Sequence, residues 1–153
     1  MKKANVLYVD DETTNLTAFK AAFRRSFNVF IAETARKGFE ILEKEEIHVV
    51  LTDQRMPEIT GVEFLKEVIQ KYPKPIRILI TGYTDAEVIK KAINEGHIYK
   101  YIDKPWDNDD LKNIIDKVFE VYCLREENEQ LTKDLKRVNK QLEFMLREKL
   151  NSE

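Results

Sequence analysis

The chain has 153 residues, enough for one compact domain and a short appendage but too few for two ordinary domains. Its 42% hydrophobic content allows a real buried core, and 26 basic against 28 acidic side chains (net −2) give no electrostatic reason to expect nucleic acid or a membrane surface as partner. No apolar run nears the ~20 residues of a membrane span; Asp10 and Asp11 break up the only stretch resembling a signal peptide, and the single Cys123 forms no internal disulfide, so a cytoplasmic location is expected.

Short apolar runs alternate with amphipathic stretches. Val6–Val9 predicts the first strand, and Leu16, Phe19, Ala22 and Phe23 fall on one face of a following helix. Val29–Ala32 predicts a second strand, and Phe39, Ile41 and Leu42 mark a second helix. Ile47–Leu51 is the third strand; Phe64, Leu65, Val68 and Ile69 form the apolar face of the third helix. Gly61 either starts that helix or occupies a tight turn before it, and Pro73 and Pro75 separate it from a fourth strand over Ile76–Ile80. Val88, Ile89, Ala92 and Ile93 mark a fourth helix closed by Gly96, and Ile98–Ile102 a fifth strand. The first, third and fourth strands are nearly continuous hydrophobics, as in parallel strands covered on both faces. The alternation predicts an α/β, doubly wound five-stranded parallel sheet.

After Pro105 the chain has no further Gly or Pro. A helix starting near Asp107 covers the sheet with Leu111, Ile114, Ile115 and Val118. From there a heptad register runs on, with Val121, Asn128, Leu135 and Leu142 at a and Leu124, Leu131, Val138 and Met145 at d. The intervening residues are mainly Glu, Lys, Arg, Asn and Gln, which predicts a coiled-coil extension. Asn128 at an a position favours a parallel two-stranded register, in which Glu120 at g meets Arg125 at e of the partner. A solvated helical extension is the plainer alternative. Phe144, Met145 and Leu146 form an apolar knot that a strict heptad does not need.

Ligands of doubly wound sheets sit beyond the carboxyl ends of the strands. Asp10 and Asp11 fall at the end of the first strand, Asp53 of the third, Thr81 of the fourth, and Lys104 follows the fifth. Three converging carboxylates repel one another unless a cation lies among them, and a hard oxygen set suits Mg²⁺. A carboxylate can accept a phosphoryl group, while a hydroxyl and an ammonium hold its oxygens.

The set Val9-Asp10-Asp11, Thr52-Asp53-Gln54-Arg55-Met56-Pro57, Gly61, Thr81-Gly82 and Lys104-Pro105 resembles, in order and spacing, the response-regulator receiver domain of two-component signalling. The resemblance covers roughly residues 4 to 122. It implies a flavodoxin-like sheet of order 2-1-3-4-5, with a receiver domain over 1–122 and a helical coiled-coil extension over 123–153. Asp53 would be the phosphoacceptor. Asp10, Asp11, Asp53 and the Arg55 main-chain carbonyl would hold Mg²⁺, for which Mn²⁺ could substitute. Thr81, Gly82 and Lys104 would bind the phosphoryl group, with Thr81 and Tyr101 moving together as a switch and the Lys104-Pro105 peptide cis. Arg55 and Tyr83 would tune dephosphorylation.

The partner implied is a histidine kinase or phosphotransfer protein, with a parallel homodimer through the last helix and neither nucleic acid nor membrane bound by this chain. The chain would be a phosphorylation-activated switch rather than an enzyme in its own right, signalling through its fourth helix, fifth strand, fifth helix and extension. The segment Lys104-Pro105-Trp106-Asp107 looks like that of receivers preceding signalling enzymes, and two readings stay open: a single-domain regulator ending in a coiled coil, or a fragment of a longer regulator. A hydrolase on the same acids would need a second acid/base and a cap; Gln54 and Arg55 follow Asp53, and no insertion is long enough for a cap. Trp106, His48 and His97 read as packing residues, Cys123 as a spectator thiol, and half-burial on a short strand competes with the switch role of Tyr101.

Overall fold

The computed structural model describes residues 2–82 and 86–152. Five strands form one parallel sheet: β1 (Asn5–Val9), β2 (Asn28–Ala32), β3 (Val49–Asp53), β4 (Ile76–Thr81) and β5 (Lys100–Asp103), in the order β2-β1-β3-β4-β5. The helices between them are α1 (Thr13–Phe23), α2 (Ala35–Lys44), α3 (Gly61–Lys71) and α4 (Ala86–Asn94), and α5 runs from Asn108 to Asn151. This is the expected doubly wound α/β sheet with a long final helix.

Successive strand residues point to opposite faces, so each strand supplies two cores. Leu7, Val9, Val50 and Leu79 cluster with Leu42 of α2, Phe64, Leu65 and Val68 of α3, and Ile89 and Ala92 of α4. From the opposite face Tyr8 meets Phe19 of α1, with ring centroids 4.7 Å apart, and an aromatic chain continues through Phe23 to Phe27. Leu111, Ile115 and Val118 of α5 are also buried. Each fully buried aliphatic side chain contributes about 1.5–3 kcal/mol, which explains why β1, β3 and β4 are mainly apolar on both faces, with polar residues mostly near their ends.

Two strands are shifted along the chain from their apolar runs: β3 covers Val49–Asp53 against Ile47–Leu51, and β5 covers Lys100–Asp103 against Ile98–Ile102. Ile47 and Ile98 are buried, yet both precede the paired ladder. Apolar runs report burial, whereas strand ends are set by main-chain bonding such as Gln54 N–H to the Ile80 carbonyl.

The turns follow local chemistry. Thr60 and Glu63 form a capping box at α3, Thr34 accepts the Lys37 N–H at α2, and Asp107 accepts the N–H groups of Asp109 and Asp110 at α5. Gly96 takes φ of 78° beyond α4. Gly61 begins α3 because a Cβ there would run into the Asp53 carbonyl oxygen and would lie 2.7 Å from Leu79 Cδ1.

The chain divides into two compact units, Met1–Phe119 and Glu120–Glu153, with α5 supplying residues to each. In the second unit Leu124, Leu131, Leu135, Val138, Leu142 and Met145 are all exposed, and so are Phe144, Leu146 and Leu150. No helix among the described residues is long and apolar enough to cross a membrane.

Candidate phosphoryl-acceptor site

The parallel register brings the carboxyl ends of β1, β3 and β4 level, with Val9 opposite Thr52 and Asp53 opposite Ile80. The chain therefore delivers Asp10, Asp11 and Asp53 to one place. One carboxylate oxygen from each lies within 4.8 Å of the others. Asp10 is fully buried, Asp53 nearly so, and Asp11 is exposed, which leaves the cluster open on one side. Lys104, placed by its N–H to the Thr81 carbonyl, puts Nζ 3.0 Å from Asp53 Oδ1 and 3.7 Å from Asp10 Oδ2.

Burial pushes the Asp53 carboxyl above its usual range; hydrogen bonding and attraction from Lys104 oppose that shift, and the Asp10 charge adds to it. Asp10 has its own donors: Tyr8 O–H at 2.6 Å and Asn15 Nδ2 at 3.2 Å to Oδ2, and Glu12 N–H at 3.0 Å to Oδ1. Burial and the adjoining Asp10 carboxylate raise the Tyr8 phenol far above its ordinary value, so it stays a protonated donor. Neither Asp10 nor Asp11 caps α1: Glu12 is the N-cap residue and makes no side-chain cap bond.

The floor of the site is held by α3. Gln54 accepts the Gly61 N–H on its main-chain oxygen and the Val62 N–H on Oε1, tying the turn after Asp53 to the start of that helix. Thr81 is buried at the end of β4, Arg55 and Gly82 are exposed, and the Lys104-Pro105 peptide is cis. Tyr101 is 41% exposed on β5, opposite Leu79. Tyr83 lies outside the described residues.

The three carboxylates fit a hard divalent cation: they are oxygen donors, clustered, and compensated within the described ion pairs by Lys104. Sequence reasoning did not single out Tyr8, Asn15 or Arg77 of β4. The signal was present for two of them: Tyr8 lies two residues before Asp10 and so on the same strand face, and Arg77 is the one charged residue within Ile76–Ile80.

This constellation at the strand ends of a 2-1-3-4-5 sheet defines a receiver domain. The response regulator receiver domain family matches residues 6–116, and the chain belongs to it: it carries the receiver domain of a two-component response regulator, a signalling switch. It is 41% identical over 135 residues to the hydrogenase transcriptional regulatory protein HoxA of Cupriavidus necator, covering 88% of this chain and 28% of that protein. The chain thus spans little more than a quarter of that relative. Among solved structures, it resembles a CheY-like response regulator receiver domain protein from Methanospirillum hungatei JF-1 (27% identity, TM-score 0.75, covering 81% of this chain and 99% of that one). It also resembles an adenylate cyclase structure from Rhodopirellula baltica (26% identity, TM-score 0.82, covering 86% and 98%).

Proposed function

We propose that Asp53 is the phosphoacceptor, taking a phosphoryl group from the phosphohistidine of a kinase or phosphotransfer protein. The observation that carries this reading is the Lys104 ammonium 3.0 Å from Asp53, within a cluster of three carboxylates at the strand ends. An Asp53 oxygen attacks phosphorus in line; the new O–P bond forms as the P–N bond to the donor imidazole breaks, and the imidazole leaves with the bonding pair. Lys104 holds the charge of the phosphoryl oxygens, and the Thr81 hydroxyl and Gly82 N–H supply hydrogen bonds to them. Asp10, Asp11, Asp53 and the Arg55 main-chain carbonyl would hold Mg²⁺, or Mn²⁺ in its place, which supplies charge neutralisation at the acceptor. Tyr101 follows Thr81 inward and changes the surface of α4, β5 and α5. Arg55 and Tyr83 would tune the rate at which water removes the phosphoryl group.

Incubation with acetyl phosphate and Mg²⁺, followed by peptide mass spectrometry, is expected to place the label on the Asp53 peptide and to lose it with EDTA. Label on another residue would remove the assignment.

The receiver takes residues 1–122 in this reading, and residues 123–153 form a parallel coiled coil with a second copy. The exposed stripe Leu124, Leu131, Leu135, Val138, Leu142 and Met145 supports it, since these positions repeat every three and four residues around Val121 and Asn128. Light scattering should return twice the 18.1 kDa chain mass with and without Mg²⁺ and beryllofluoride. A single-chain mass in both conditions would leave the seam without a partner.

A further inference from the structure

Asp10 presents two oxygens of different standing. Oδ1 accepts one hydrogen bond, from the Glu12 N–H at 3.0 Å. Oδ2 accepts two, from the Tyr8 hydroxyl at 2.6 Å and the Asn15 amide at 3.2 Å. Oδ2 is also the oxygen nearest Lys104, whose Nζ lies 3.7 Å from it, beyond a good hydrogen bond. The ammonium instead sits 3.0 Å from Asp53 Oδ1.

Asp10 is buried more deeply than Asp53, and a bare carboxylate in such surroundings would hold an ammonium tightly. Left to Coulomb attraction, Lys104 would be divided between the two acids. A carboxylate oxygen has two lone-pair directions, and here neutral donors fill both directions on the oxygen facing Lys104.

We infer that Tyr8 is a positioning residue that keeps Lys104 on Asp53 by occupying, together with Asn15, the Asp10 oxygen that Lys104 would otherwise take. The geometry of the Tyr8 ring makes the hydroxyl a fixed fitting. It is fully buried, its centroid is 4.7 Å from that of Phe19, and the Trp106 ring stands edge-on to it at 6.2 Å. Phenylalanine would fill the same space without the donor. The functional consequence rests on the proposed role of Asp53; the arrangement of Lys104 does not.

Two measurements on the full chain test this. The first is a crystal structure of Tyr8→Phe, in which Lys104 Nζ is expected within direct hydrogen-bonding distance of Asp10 Oδ2 and withdrawn from Asp53. Lys104 remaining on Asp53 would overturn the inference. The second is the rate of Asp53 labelling by acetyl phosphate, expected to fall about tenfold in Tyr8→Phe, the scale of one hydrogen bond to a charged group. The fall should be smaller in Asn15→Ala, whose donor is longer and whose position is less buried. In a Lys104→Met background, Tyr8→Phe should cause no further loss, because there is no ammonium left to misdirect; an undiminished loss there would overturn the inference. Labelling that survives Asp53→Asn would instead strike the acceptor assignment, while the position of Lys104 in the Tyr8→Phe crystal would still decide the role of Tyr8.

Discussion

Asp53→Asn is expected to reduce acetyl phosphate labelling by about a thousandfold or more, to background, because the amide lacks the oxygen nucleophile. The same substitution should stabilise the protein. Asp53 is buried beside Asp10, and burial raises its carboxyl pKa despite the pairing with Lys104. Its folded pKa therefore lies above the unfolded value of 3.8. At neutral pH the folded state holds a charge it disfavours, and that cost disappears as pH falls through the folded pKa to below the unfolded one. Thermal unfolding at pH 7 should thus find Asp53→Asn more stable by about 1 kcal/mol. The difference should shrink steadily on acidification, and Mg²⁺ at neutral pH should shrink it too, by stabilising the wild-type chain selectively. A variant less stable than wild type at pH 7 would mean that the Lys104 pairing outweighs burial.

Arg77→Met is expected to cost about 3 kcal/mol of folding stability. The guanidinium is buried at the start of β4 and donates to four main-chain carbonyls: Nε to His97 at 3.0 Å, Nη1 to Pro75 at 2.8 Å and Pro73 at 3.4 Å, and Nη2 to Gly96 at 3.2 Å. Gly96 and His97 follow the end of α4, where the helix dipole favours a cation. Methionine fills the volume but leaves those oxygens without their donor. Arg77→Lys should recover only part of the loss, since one ammonium cannot reproduce the planar fork. Urea denaturation should lower the midpoint with an unchanged slope. A loss below about 1 kcal/mol would mean that water replaces the guanidinium at little cost.

The fold was legible because its three inner strands are buried on both faces. Val6–Val9, Val49–Leu51 and Ile76–Ile80 could not alternate polar and apolar residues, and that set them apart from the amphipathic helices. The candidate site was legible because Asp10, Asp53, Thr81 and Lys104 each stand at or next to a strand end, where a parallel sheet must gather them. What supports these residues was harder to read. Tyr8 looks like one more apolar strand residue until its hydroxyl is placed beside Asp10. Arg77 serves carbonyls, which carry no side-chain signature in a sequence. His48, a packing residue by its sequence setting, lies fully buried, accepts the Asn5 N–H on Nδ1 at 2.8 Å and packs its ring at a tilt against Phe119, centroids 4.9 Å apart.

The contact between Gly61 and Asp53 has a mechanical side. A missing methyl group is all that separates the first residue of α3 from the Asp53 carbonyl oxygen, and the Gln54 bonds to Gly61 and Val62 close the remaining gap. The main chain of Asp53 and the start of α3 therefore have no clearance between them. On the opposite side of the site, among the described residues, a Cβ at Gly82 would meet nothing nearer than Lys104 Cβ at 3.9 Å. The packing is one-sided: the Asp53 main chain abuts the start of α3 without clearance, whereas the described residues leave room for a side chain at Gly82, next to Thr81.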